Sequence, residues 1–361
     1  MNKRQREQVE FDESGKNMVV GEAERCPVPP DTLAQMTAGS DYVVQVIESG
    51  LTAEIFRIRV SGQDYTLKKK RPIAKVNNID GKYSFLNEVQ RRHDFEQLKS
   101  QPVWKQAFSS IVNTVYADYR LGIILSPWIE GEPVKKVDNA FLTQLLQVLT
   151  ACEKNGLMEW DLCSGNMLVD HNGKLWLFDF GYMYPFDPLK EFNSNGLSDP
   201  IFHAVERFET RFFFGWLLRQ SFPEEEQLSL FKELKQAAVT AYRDKIDWLV
   251  DNGAESRVIR HVESMVLLWQ EALENHEALE NTFRLEAFRS HVLDIEDDLH
   301  GESCTSLTLK RIDYVMTALE SRYTYLRENG ALFYANEDKS QDELLLLYRD
   351  KQKLAHSFQL S

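Results

Sequence analysis

Residues 159–181 read Glu159-Trp160-Asp161-Leu162-Cys163-Ser164-Gly165-Asn166-Met167-Leu168-Val169-Asp170-His171-Asn172-Gly173-Lys174-Leu175-Trp176-Leu177-Phe178-Asp179-Phe180-Gly181. A loop carrying an Asp and an Asn follows a helical stretch. Two short apolar runs, Met167 to Val169 and Leu175 to Phe178, then flank His171-Asn172-Gly173, the composition of a β-hairpin and its turn. Asp179 leaves the second strand just before a glycine. This order brings Asp161, Asn166 and Asp179 towards one end of the hairpin. Phosphoryl transfer needs such a set: hard oxygen ligands for magnesium, a carboxylate to orient the attacking hydroxyl, and a cation on the donor phosphates.

Upstream, the pattern is that of strands. Tyr42 to Ile47, Glu54 to Val60 and Tyr65 to Lys69 are rich in β-branched and aromatic residues, with Ser61-Gly62-Gln63-Asp64 as a turn. Three antiparallel strands are expected, then a helix over Ser84 to Leu98 and strands near Ser110 to Tyr116 and Leu121 to Leu125. Beyond Gly131 the periodicity becomes helical. Asp138 is placed to cap a helix carrying Leu142, Leu145, Leu149 and Cys152. After residue 205 nearly everything is helical, punctuated by Asn252-Gly253 and Asn329-Gly330. The segment Thr210-Arg211-Phe212-Phe213-Phe214-Gly215-Trp216-Leu217 reads as simple core. Residues 1–40 are polar and lack sustained periodicity, so a flexible tail is expected there.

The pattern Asp-Leu-x-x-Gly-Asn-x-Leu followed by Asp-Phe-Gly resembles the catalytic and metal loops of the protein-kinase-like superfamily. The Gly-Asn form is nearest the aminoglycoside and choline kinase branch and related atypical bacterial kinases. The resemblance implies an α+β, bilobal fold: a small antiparallel-sheet N-lobe with one helix over 41–130, a helical C-lobe with the catalytic and metal loops over 131–223, and its helical remainder and C-terminal extension over 224–361. It implies an ATP- and magnesium-dependent kinase with Asp161 as catalytic base or hydroxyl-positioning residue and Asn166 and Asp179 as magnesium ligands. Tyr65-Thr66-Leu67-Lys68 resembles the family's strand motif, so Lys68 would contact the α- and β-phosphates, with Glu88 as its ion-pair partner. Of the three consecutive lysines, Lys68 and Lys70 share one strand face and Lys69 the other. Lys68 is preferred because Thr66 is small enough to sit under an adenine ring. Ile47-Glu48-Ser49-Gly50-Leu51-Thr52-Ala53 stands where the family has its phosphate loop, with Gly50 as the one retained glycine. The connection Ser126-Pro127-Trp128-Ile129-Glu130-Gly131-Glu132-Pro133 would present its backbone to the adenine edge.

Departures from the family narrow the expectation. Glu159 and Trp160 precede Asp161 where protein kinases have His-Arg; Trp160 is read as packing against the hairpin. Cys163 replaces the usual lysine, and no Ala-Pro-Glu closes an activation segment. The acceptor is therefore left as a small molecule, a sugar or a protein Ser/Thr hydroxyl. The alternative is a pseudokinase that binds nucleotide or acts as a scaffold without turnover. The C-terminal helices are expected either to cap an acceptor pocket or to bind a protein partner.

Composition sets the outer bounds. The 361 residues are 43% hydrophobic, enough for a large core. A net charge of −14 argues against nucleic-acid binding, which needs a basic surface. The four cysteines form no CxxC pair and suggest neither zinc nor a disulfide framework. No apolar run is long enough for a membrane span and no signal segment follows the basic N-terminus, so a cytoplasmic location is expected.

Overall fold

A computed structural model describes residues 1–48, 50–76, 78–334 and 336–360. In chain order its elements begin with α1 (Lys3–Glu13), β1 (Val19–Gly21), α2 (Pro30–Gln35), β2 (Val43–Ile47), β3 (Ala53–Val60), β4 (Gln63–Lys70), α3 (Ile79–Ser100), α4 (Pro102–Lys105), β5 (Tyr116–Asp118), β6 (Ile123–Pro127) and β7 (Gly131–Pro133). Then come α5 (Asn139–Lys154), β8 (Leu157–Glu159), β9 (Met167–Asp170) and β10 (Leu175–Leu177). Helices follow: α6 (Ala204–Phe208), a π-helical turn (Glu209–Phe213), α7 (Phe214–Leu217), α8 (Glu224–Asp251), α9 (Ser256–Glu274), α10 (His276–His300), α11 (Ser306–Glu328) and α12 (Gln341–Ser357). The chain is α+β, with a small antiparallel sheet and many helices. Among the described residues no helix is long and apolar enough to cross a membrane.

The chain forms two compact units. One comprises residues 1–135 and 165–184; the other comprises 136–164 and 185–361. The division differs from the expected boundaries at 131 and 224. Gly131 on β7 pairs with Asp170 on β9, and Val112 N–H donates to Leu177 O at 3.0 Å. The hairpin bearing Asn166 and Asp179 is thereby tied to the strand-rich unit. The helices after 224 share a unit with α5: Lys245 on α8 donates to Glu153 on α5 at 2.9 Å, a buried ion pair.

In the first unit, six antiparallel strands lie in the order β1-β5-β6-β4-β3-β2. One cluster joins Ala53, Ala117 and Ile124 to Tyr83, Phe85, Leu86 and Val89 of α3. A second joins Phe56, Ile58, Leu67 and Leu125 to Leu33 and Met36. Burying each Leu, Ile, Val, Met or Phe side chain among these contributes about 1.5–3 kcal/mol. Asn78 caps α3, its side chain accepting from Gly81 N–H at 2.8 Å, so the helix starts five residues before the expected Ser84.

The first 40 residues correct the expectation of a flexible tail. α1 docks on α3 through Arg4 and Asp80, 2.8 Å apart, and β1 is the edge strand, with Val20 opposite Ala117. Leu33 and Met36 are fully enclosed. The apolar residues here are isolated, one or two per element. They show no period, yet each fills a place in a cluster formed by distant residues. The strand expected over Ser110 to Tyr116 is also displaced: β5 begins at Tyr116, and Ser110 to Val112 hydrogen-bonds to Leu177 instead.

In the second unit, Asp138 caps α5 as expected, accepting from Phe141 N–H at 3.0 Å. α10, α11 and α12 enclose Val292, Ile295, Ile312, Val315, Leu319 and Tyr348. Phe212, Phe213, Phe214, Trp216 and Leu217 are buried, as a core reading of that segment requires.

Candidate functional site

Strand alternation sets the first cluster. Lys68 on β4 lies opposite Ile124 of β6, which packs in the cluster shared with α3. Its ammonium reaches Glu88 of α3, Nζ to Oε2, at 2.6 Å, and Asp179 Oδ1 at 3.0 Å. Lys69 points to the other face and donates to Met36 O, while Lys70 donates to Tyr119. The Lys68 and Glu88 side chains are only 8% and 3% exposed, so an unpaired charge there would be costly. Burial works against the Lys68 ammonium, but Asp179 and Glu88 outweigh it and raise its pKa. Burial also works against the Glu88 carboxylate, but Lys68 and Arg92 outweigh it and lower its pKa. Both groups are charged at neutral pH.

Two residues that the sequence reading missed complete this cluster. Arg92, one turn after Glu88, donates to Glu88 Oε1 at 2.9 Å and to the Ser126 hydroxyl at 3.1 Å. The i,i+4 spacing of Glu88 and Arg92 is visible in the sequence and was the available signal. Asn87 donates to the carbonyls of Phe180, Gly181 and Met183, at 3.1, 3.1 and 2.7 Å, and so holds the Asp-Phe-Gly turn against α3. Phe180 packs on Phe95 of the same helix, ring centroids 4.8 Å apart. Asp179 has φ of 66°, a left-handed conformation unusual for a non-glycine residue. Such strain persists where surroundings over-determine it, and here Asn87 and Phe95 fix the residues that follow.

The β9–β10 hairpin places Asn166 beside this turn: Phe178 N–H donates to Asn166 O at 3.2 Å, one pair beyond Met167 opposite Leu177. Asn166 and Asp179 offer the hard oxygens magnesium prefers. Among the described residues no group of three or more His, Cys, Asp or Glu could hold a metal. Two such ligands are the number of protein groups magnesium usually takes, beside waters and phosphate oxygens.

The expected nucleotide contacts are partly narrowed. A Cβ at Gly50 would lie 2.3 Å from Ala53 O, so only glycine fits there. Arg71 donates to Gly50 O at 3.1 Å. Ser49 lies outside the described residues. Ser126 is buried and supports Arg92. Trp128 N–H already donates to Asp64 O at 3.2 Å, so this donor is engaged and cannot at the same time read an adenine edge. Trp128 and Ile129 line a pocket with Asp170 and Trp176.

Asp161 belongs to the second unit. Its N–H donates to the buried Glu159, Oε1, at 2.8 Å. Arg211, in the π-helical turn, donates to Asp161 Oδ1 from Nε at 3.1 Å and from Nη2 at 3.0 Å. Sequence reading treated Arg211 as one residue of a core segment; nothing local marks it as a partner of Asp161, fifty positions away. Trp160 packs on Phe202, centroids 4.9 Å apart, and donates to Ser194 at 2.8 Å.

No protein-family model matches the chain, and no curated protein matches it. The fold and side chains define an α+β protein with two clusters of paired charge: the buried Lys68, Glu88 and Arg92 with the partly exposed Asp179 in one unit, and the partly exposed Asp161 and Arg211 in the other.

Proposed function

We propose that the chain is an ATP- and magnesium-dependent phosphotransferase of the protein-kinase-like group, with the bilobal fold that its motifs imply, passing the γ-phosphoryl group to a hydroxyl of a small molecule, a sugar or a protein Ser/Thr. The observation that supports this most is the Lys68 ammonium, held 2.6 Å from Glu88 and 3.0 Å from Asp179. A buried cation bracketed by two carboxylates from distant parts of the chain is how a phosphate clamp is fixed in advance of its ligand.

In this reading Lys68 contacts the donor phosphates, while Glu88 and Arg92 keep it from turning away. Asn166 and Asp179 would hold magnesium, which supplies charge neutralisation of the phosphates when bound. Thr66 would lie under the adenine ring, and the backbone at Ser126 and Ile129 beside its edge. Asp161 would accept a hydrogen bond from the acceptor hydroxyl and orient it.

A second reading, a pseudokinase that binds nucleotide or serves as a scaffold, is favoured by the departures from the family pattern: Glu159 and Trp160 before Asp161, and Glu48 and Ala53 at the other two glycine positions of the phosphate loop. ADP release and phosphoryl transfer, measured with magnesium and ATP against sugars, small alcohols and Ser/Thr peptides, separate the two. The phosphotransferase reading predicts turnover in the parent and a loss of about 100-fold or more in Asp161→Ala with nucleotide binding retained. Equal turnover in the variant and the parent would overturn the role of Asp161.

A further inference from the structure

We propose that Arg211 is the positioning residue for Asp161 and that α10 sets it through Asp294, so that the C-terminal helices take part in the reaction's geometry. This rests on the phosphotransferase reading.

Both Arg211 donors, Nε and Nη2, fall on the same oxygen of Asp161. A guanidinium fork is planar and rigid, so two donors converging on one oxygen fix where that oxygen lies. The third nitrogen, Nη1, donates to Asp294 Oδ1 at 2.5 Å and lies 3.5 Å from Asp298 Oδ1. Asp294 then passes the linkage inward: its Oδ2 lies 2.7 Å from Arg311 Nε on α11. Arg311 is anchored in turn, donating to Thr210 O at 2.7 Å and to His291 Nδ1 at 2.9 Å. Burial and the Arg311 charge push the His291 pKa well below its usual value, so the ring is neutral and accepts. Thr308 donates to Asp298 Oδ2 at 2.5 Å.

The order Arg311, Asp294, Arg211, Asp161 is a row of alternating charges. Side-chain exposure rises along it, 0%, 7%, 19% and 25%, so the row starts in the core and ends at the carboxylate assigned to the acceptor hydroxyl. Burial works against the Arg211 charge, but Asp294, Asp161 and Asp298 outweigh it and hold its pKa well above its usual value. The guanidinium sits in a π-helical turn, a rare feature that often marks functional segments. A Cβ at Gly215 would come within 2.5 Å of Arg311 Nη2, so a glycine one turn beyond Arg211 is what lets the anchor approach.

The test uses the full chain and two readouts. Arg211→Lys keeps the charge and loses the fork; Asp294→Asn keeps the shape and loses the inner link; Arg211→Ala removes both at greater risk to folding. The first readout is turnover at saturating magnesium and ATP, beside the dissociation constant for magnesium-ATP. Turnover falling about 10- to 100-fold in Arg211→Lys, and less in Asp294→Asn, with the dissociation constant within about two-fold of the parent, is expected. The second readout is amide hydrogen exchange over residues 160–163 without nucleotide, expected to speed up about ten-fold in both variants while α3 is unchanged. Parent-like exchange at 160–163 in Arg211→Lys overturns the proposal. So does parent-like turnover in that variant. A parent that neither binds nor turns over magnesium-ATP removes the phosphotransferase reading, and with it the catalytic role of Arg211; the exchange readout then still decides whether α10 holds this loop.

Discussion

The two charge clusters are built on opposite plans. In the first unit a cation, Lys68, is held between the carboxylates of Glu88 and Asp179, with Arg92 behind. In the second unit Asp161 is held by a cation, Arg211, that is tied to further carboxylates behind it. A clamped cation suits a group that meets phosphate; a clamped carboxylate suits one that must face a hydroxyl in a fixed direction. The first cluster draws on a strand, the next helix and a hairpin turn. The second depends on α10, far along the chain.

Breaking the first cluster has the larger cost. Glu88→Ala leaves Lys68 and Arg92 buried beside one carboxylate, and losing one partner of a buried pair typically costs about 3–5 kcal/mol. Denaturant midpoints should fall accordingly, with an unchanged m-value. The second cluster is probed by Gly215→Ala, where the new methyl would meet Arg311 Nη2. Overpacking of this kind costs about 1–3 kcal/mol, and an effect below about 0.5 would show that Arg311 can shift without loss.

Acidity should act on the two clusters with opposite sign. Glu88 has a lowered pKa, so its stabilisation is present above its unfolded value and is lost as pH falls through its folded one. Burial and the Asp294 carboxylate push Asp298 up to about 7 from an ordinary 3.8, so between those values the folded chain binds more protons than the unfolded one. Stability from Asp298 therefore falls as pH rises from about 4 to 7, by at most about 1.4 kcal/mol per pH unit. Burial raises Glu206 to about 7 as well, and it adds to the same slope. Asp298→Asn should flatten the urea-midpoint profile over that window and leave the acid limb set by Glu88 in place. A slope unchanged in Asp298→Asn would place the titration elsewhere.

The sequence made the first cluster legible because its parts lie in short patterned segments: a strand ending in Lys68, a helix with Glu88, and a hairpin leading to Asp179. The antiparallel sheet and the α5 cap at Asp138 were legible for the same reason. Arg211 was not, because its meaning comes from Asp294 and Arg311, which only the packing of α10 and α11 brings near. The order of the first 40 residues was hidden differently. Val20, Leu33 and Met36 carry no period, and their places exist only once β5 and the far face of the sheet have formed. Periodicity reports faces that repeat; it is silent about single residues that plug a distant core.

Calorimetric titration of the parent and of Asp179→Ala with ATP, with and without magnesium, tests the central claim most directly. The parent should bind ATP tightly only with magnesium, and Asp179→Ala should lose that magnesium dependence while remaining folded. Magnesium-dependent ATP binding equal in the variant and the parent, or absent from both, would contradict the assignment of Lys68, Glu88, Asn166 and Asp179 to a nucleotide site.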